Sequence, residues 1–179
     1  MPLRTWQKLK ESTVSKNPWW TYKKDSFALP TGEAGEYHYV HTNGSSMIVP
    51  IFAGGKVLMV KQYRYLCDRE SLEFPCGSVK DGTTYEQTAQ MELAEEAGLA
   101  AESFVPLGEF NPYNGITDEM CKVYFAKNLS PVQAKPDLTE EFELLHLTVE
   151  EIEEKIRIGE IWDGMTLAAW LLARQKLST

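Results

Sequence analysis

Cysteine, histidine and positive charge are all scarce in this sequence. Its 179 residues include only three cysteines and three histidines. Cys67, Cys76 and Cys121 form no C-x-x-C pair and are odd in number, which argues against a disulfide scaffold and a structural zinc site. His38, His41 and His146 are scattered, so no histidine-based triad or metal cluster is in view. No apolar run approaches the roughly 18 residues of a membrane span. The polar opening MPLRTWQKLKESTV lacks the apolar core of a signal peptide. A soluble, cytoplasmic protein with no membrane partner is the expectation. Lys plus Arg number 18 against 26 Asp plus Glu, a formal charge of -8. Such a chain is poorly suited to gripping nucleic acid backbones. An anionic small molecule stays admissible, provided a cation stands between carboxylate and phosphate.

What is present is ordinary globular material. Hydrophobic residues make up 43% and charged residues 25%, and the length suits one compact domain with a small appendage. There is no internal repeat, low-complexity tract or long linker. β-Branched and aromatic residues concentrate at 19–27, 36–41, 46–52 and 56–65, predicting strands. Turn residues separate them: Pro30-Thr-Gly32, Asn43-Gly44 and Gly54-Gly55. The last pair, between MIVPIFA and KVLMVKQY, predicts a tight hairpin. A helix is expected from about Thr84 to Ala97 with Gly98 as its C-cap. Thr83 with Glu86, or Thr84 with Gln87, would each supply a capping box. Further strands are expected at 104–110, 121–127 and 143–147, then helices at 149–158 and 165–176. The pattern is α+β, a mixed sheet with helices on its faces.

The helix at 84–97 carries the chemistry. Glu92, Glu95 and Glu96 recur at i, i+3 and i+4 and share one sector of its surface. Ala89, Leu93 and Ala97 form an adjoining apolar stripe. Like charges so spaced destabilise a helix unless something neutralises them. A hard divalent cation does this naturally, since Mg²⁺ takes carboxylate oxygens and shares its shell with substrate phosphates. The plainer reading is a solvated acidic face.

The flanking residues favour the cation. The segment Gly77-SVKDG-Thr83-TYEQTAQ-Met91-ELAEEAGL resembles the signature of Nudix hydrolases, G-x5-E-x7-R-E-U-x-E-E-x-G-U with U a bulky aliphatic. Gly77, Glu92, Leu93, Glu95, Glu96, Gly98 and Leu99 match in register. Thr83 stands where the family has Glu, and Met91 where it has the Arg that orients the glutamates. The resemblance implies a Nudix-type α/β/α sandwich with a mixed sheet, preceded by antiparallel strands. It implies Mg²⁺, with Mn²⁺ as a substitute, held by Glu92, Glu95, Glu96 and the backbone carbonyl of Cys76.

VKQYRY followed by LEFPCG is similar to the subgroup that hydrolyses ADP-ribose and nucleotide sugars. That likeness implies a substrate contact for Arg64 and a place near the metal site for Glu73. Read without it, Arg64 is a surface strand arginine with Glu73 as its strand-end partner. PYNGITDE resembles a loop bordering the substrate pocket and points to Glu119; on its own it is a turn. LTEEFELL lies where relatives carry a water-activating glutamate, and Glu140 and Glu141 are both candidates. The final helices are core packing and carry no assigned chemistry. Trp19 and Trp20 are candidates for stacking the base. Adjacent strand residues face opposite ways, so only one of them could be core and the other would be exposed, and core or dimer packing is the plainer reading.

The expected organisation is an N-terminal strand region, 1–43, serving dimerisation or base binding, and a Nudix domain, 44–179. The implied activity is Mg²⁺-dependent cleavage of the pyrophosphate of a nucleoside diphosphate linked to a sugar or similar group, by a homodimer. The alternative is a catalytically weakened domain that binds a nucleotide as a sensor or structural module.

Overall fold

A computed structural model describes residues 3–133 and 141–177. The chain divides into two compact units, one formed by 1–43 with 111–119 and the other by 44–110 with 120–179. The loop at 111–119 packs within the first unit.

The first unit is a three-stranded antiparallel sheet in the order β1 (Gln7–Lys16), β2 (Thr21–Ala28), β3 (Ala34–His41). The β2–β3 turn is the expected Pro30–Gly32 turn, closed by Leu29 N–H donating to Glu33 O at 2.7 Å, with Gly32 at φ +93°. Strand β1 was not expected, because QKLKESTVSK shows no apolar alternation and is exposed along almost all its length. Cross-strand ion pairs hold it: Lys8 to Asp25 at 2.7 Å and Glu11 to Lys23 at 2.8 Å. Trp6 adds a stack on Phe27, ring centroids 4.5 Å apart.

The second unit contains a four-stranded mixed sheet in the order β7 (Cys76–Ser78), β4 (Ser45–Pro50), β9 (Cys121–Pro131), β8 (Leu99–Phe110), with β4 and β9 parallel. A three-stranded antiparallel sheet has the order β10 (Glu143–Leu147), β5 (Val57–Arg64), β6 (Arg69–Glu73). The helices are α1 (Tyr85–Ala97), α2 (Val149–Arg157) and α3 (Gly164–Leu177). The Gly54–Gly55 turn forms, with Phe52 N–H donating to Lys56 O at 2.9 Å. The expected hairpin does not continue, because a single bridge, Ile51 to Val57, follows before β4 and β5 part into different sheets. Both strands bury two faces, so each side chain row finds its own core and neither strand needs the other.

Period-two alternation sorts the core into two layers. Ile48, Leu58, Val60, Tyr124 and Ala126 cluster with Ala89, Leu93 and Ala97 of α1. Met47, Val49, Val57, Met59, Val123 and Phe125 cluster with Ile152 of α2 and Trp170 of α3. One helix therefore covers one side and two cover the other, which is the expected α+β sandwich. Burying a residue such as Leu93 completely contributes roughly 1.5–3 kcal/mol.

Candidate functional site

Helix α1 is anchored at both ends by its own sequence. Thr84 is the N-cap: its Oγ1 accepts from Gln87 N at 3.2 Å, and Gln87 Oε1 accepts from Thr84 N at 2.9 Å. Of the two possible boxes this is the one formed. Thr83 instead folds back on the preceding turn, donating from Oγ1 to Lys80 O at 2.8 Å. At the other end Gly98, at φ +62°, donates its N–H to Ala94 O. These caps set the ends of the helix, and Ser46 Oγ, donating to Tyr85 O at 2.6 Å, ties its first turn to β4 and so fixes its rotation there.

That rotation turns Leu93 into the core and brings Glu92 against the backbone of β7. A Cβ on Gly77 would lie 1.9 Å from Glu92 Oε1 and 2.0 Å from its Cδ. Only a residue without a side chain leaves room for the carboxylate. Glu96, one turn on, is 8% exposed, a depth at which a carboxylate needs compensation. The thiol of Cys76 is pushed well above its usual range, first by its hydrogen bond with Cys121, then by burial, then by negative charge that includes Glu96 and Glu92. A thiol so raised stays protonated at neutral pH. Glu95 is only partly buried on the same helix.

Arg64 and Glu73 form the second feature. Arg64 ends β5 and Glu73 ends β6, and the guanidinium grips the carboxylate through both Nε, at 2.7 Å to Oε1, and Nη2 to Oε2. Glu73 is 2% exposed and Arg64 about half. The pair therefore realises the strand-end partnership that the residues alone suggested. Hydrogen bonding to Glu73 raises the Arg64 pKa, with Glu73 and Asp163 adding negative charge nearby. Asp163 was not singled out in the sequence, since no local pattern joins residues 64 and 163. It accepts from Thr166 N at 2.7 Å in the first turn of α3.

The remaining candidates are dispersed. Glu141 lines a cleft of about 310 Å³ with Lys61, Gln62, Tyr63 and Glu70, while Glu140 lies outside the described residues. Glu119 belongs to the first unit, its N–H donating to Thr117 Oγ1 at 3.1 Å. Trp19 and Trp20 also lie there, in a turn before β2, with both N–H groups donating to Asn17 Oδ1 at 2.9 Å. They are 78% and 43% exposed. Neither is core, and because neither sits in a strand the alternation argument does not apply to them. Met91 is exposed on α1.

Among the described residues, no three His, Cys, Asp or Glu side chains stand gathered as a ready cation cage. The donor set nonetheless suits a hard cation. Mg²⁺ is commonly held by one or two carboxylates, with water and substrate phosphates completing its shell. Glu92 and Glu96 both bear on the Cys76 thiol, and Glu92 occupies the space that a side chain on Gly77 would fill.

Comparison with known proteins places these features in context. The family model described as the NUDIX domain matches residues 42–164. The chain is similar to an ADP-ribose pyrophosphatase of Bacillus subtilis (strain 168), 30% identical over 90% of this chain and 91% of the relative. It is also similar to a methanol dehydrogenase activator of Bacillus methanolicus, 31% identical over 81% and 80%. Among solved structures, one described as an ADP compounds hydrolase superposes with a TM-score of 0.86 over 99% of this chain and 97% of the other, at 20% identity. At that identity the match demonstrates a shared fold. No helix among the described residues is long and apolar enough to cross a membrane.

Proposed function

The chain belongs to the NUDIX family of hydrolases, and from that premise we propose that it cleaves the pyrophosphate of ADP-ribose or a related nucleotide sugar. Water adds to one phosphorus, the bridging P–O bond breaks, and two monophosphates leave. The observation that carries this reading is the fit of the Glu92 carboxylate against Gly77, with Glu96 buried one turn away.

Glu92 and Glu96, with the Cys76 backbone carbonyl, would hold Mg²⁺, and Mn²⁺ is the expected substitute. Glu95, less buried, orients the pair or takes a further ion. When bound there, the cation would supply charge neutralisation for the phosphates and a lowered pKa for an attacking water. Arg64, held in one orientation by Glu73, directs its remaining N–H groups at a phosphate, a positioning role. Glu141 or Glu140 accepts the proton of the attacking water. Exposed Trp19 and Trp20 offer ring faces to the base, and β1–β3 are the surface through which two copies pair. Residues 1–43 are accordingly the base-binding and dimerising region, and 44–179 the catalytic one. The protein works in the cytoplasm, without nucleic acid or membrane partners.

The test is a panel of ADP-ribose and nucleotide sugars with Mg²⁺ and Mn²⁺, scored for monophosphate products. Wild-type protein releases them and Glu96→Gln does not, while keeping its melting temperature. A wild type that binds a panel member yet cleaves none would replace hydrolysis by a sensor role.

A further inference from the structure

Strands β5 and β6 meet end to end at a pair of arginines, since Arg64 is the register partner of Arg69. Directly opposed residues of an antiparallel pair project from the same face, and like charges so placed are destabilising. Glu73 resolves this for Arg64 only. Among the described residues Arg69 makes no ion pair. The carboxylates around it are engaged elsewhere: Asp68 accepts from Tyr63 OH at 2.7 Å, Glu70 meets Lys61 at 3.4 Å, and Asp163 caps α3.

The Arg69 guanidinium lies instead over the ring of Trp162, 3.6 Å from its centroid. That ring is itself fixed, because Trp162 Nε1 donates to Glu70 O at 3.0 Å, the backbone of the same strand. Cation–π stacking holds a guanidinium flat without using any of its five N–H donors. The result is a preoriented, solvent-exposed cation beside the one arginine already directed at phosphate. Preorientation of this kind lowers the entropy lost when an anion binds.

We propose that Arg69 is a second diphosphate-binding residue, contacting the phosphoryl group that Arg64 does not, with Trp162 as its positioning residue. This rests on the pyrophosphatase reading. Two arginines opposed in strand register, one oriented by Glu73 and the other by Trp162, match two linked phosphoryl groups, so the arrangement favours diphosphate-containing ligands over monophosphates. It also favours release of the monophosphate products.

The experiment compares wild type with Arg69→Gln, Arg69→Lys and Trp162→Leu. Steady-state kinetics on ADP-ribose with Mg²⁺ is paired with calorimetric binding of ADP and AMP in metal-free buffer. Wild type binds ADP more tightly than AMP. Arg69→Gln raises KM roughly tenfold, the loss of one charge-assisted hydrogen bond, with kcat little changed. It also erases most of the ADP-over-AMP preference, while its melting temperature is kept. Arg69→Lys, which keeps charge but not the flat fork, recovers part of both, and Trp162→Leu falls between. An unchanged KM and ADP/AMP ratio in Arg69→Gln overturns the proposal. So does a lower kcat at constant KM with a lower melting temperature, which would make the stack purely structural. A wild type without ADP preference overturns it as well. If wild type binds ADP but hydrolyses nothing, the hydrolase reading fails, and the ADP/AMP ratio of the variants still judges Arg69.

Discussion

The Cα of Gly77 and the carboxylate of Glu92 occupy adjoining space so closely that a methyl group on the glycine would sit 1.9 Å from Oε1. No rotamer adjustment of a few tenths of an ångström absorbs such an overlap. Gly77→Ala therefore moves Glu92, and a displacement near 1 Å at a reacting centre costs about 10²-fold in rate. The expected outcome is a fall in kcat of that order with the melting temperature nearly kept. Full activity in Gly77→Ala would mean that Glu92 does not work from this position.

The Arg64–Glu73 pair is asymmetric in burial, and its two disruptions should differ accordingly. Arg64→Gln leaves the carboxylate of Glu73, 2% exposed, without its cation. Removing one partner of a buried pair costs about 3–5 kcal/mol. Glu73→Gln leaves a guanidinium that already reaches solvent, and costs about 1–2 kcal/mol, the scale of lost hydrogen bonds. Urea denaturation of both variants at pH 7 gives the comparison, with the larger loss expected in Arg64→Gln.

Met91 lies one residue before Glu92 on the exposed side of α1, and Glu95 follows it at i+4. Met91→Arg would give Glu95 a cationic neighbour at helical spacing and relieve part of the acidic repulsion. Higher Mg²⁺-dependent turnover or tighter Mn²⁺ binding is expected, measured by kinetics and calorimetry. A lower value would show that this chain orients its glutamates without help from that position.

In the N-terminal sheet, Glu11 accepts from Lys23, Lys8 and Tyr39, and its carboxyl is lowered from 4.5 to about 2 by those bonds in that order. A carboxyl depressed in the fold contributes stability above its unfolded pKa, and loses it as pH falls through the folded value. Tyr39 behaves oppositely: burial first, then its bond to Glu11, pushes its hydroxyl up to about 12. Its contribution is full below 10.0 and is lost as pH rises toward 12. Carbon NMR titration should find the Glu11 carboxyl still ionised at pH 3. Absorbance at tyrosinate wavelengths should show one fewer late-ionising tyrosine in Tyr39→Phe. A Glu11 midpoint near 4.5 would mean the network does not persist in solution.

Much of the second unit is written locally. Thr84, Gln87 and Gly98 mark the ends of α1, because caps satisfy backbone groups from residues a few positions away. The i, i+3, i+4 spacing of Glu92, Glu95 and Glu96 places them in one sector, since 3.6 residues per turn is a property of any helix. The buried rows of β4, β5 and β9 are likewise visible as apolar runs. Signals of this kind require no knowledge of distant residues.

Other features depend on which distant segments meet. Strand β1 is held by charge pairs with β2 rather than by an apolar face, so its own residues carry no strand pattern. Trp19 and Trp20 look like strand residues until Asn17 captures both of their N–H groups in a turn. The parallel pairing of β4 with β9 separates β4 from β5 despite the glycine turn between them. Arg64 on Glu73, and Arg69 on Trp162, join residues whose proximity is created by strand register and by the loop before α3. Sequence alone thus established an acidic helix suited to a cation. The scarcity of positive charge noted at the outset is compatible with a phosphate ligand because folding opposes Arg64 and Arg69 in register and fixes Arg69 on the distant Trp162, a contact that only the tertiary structure produces.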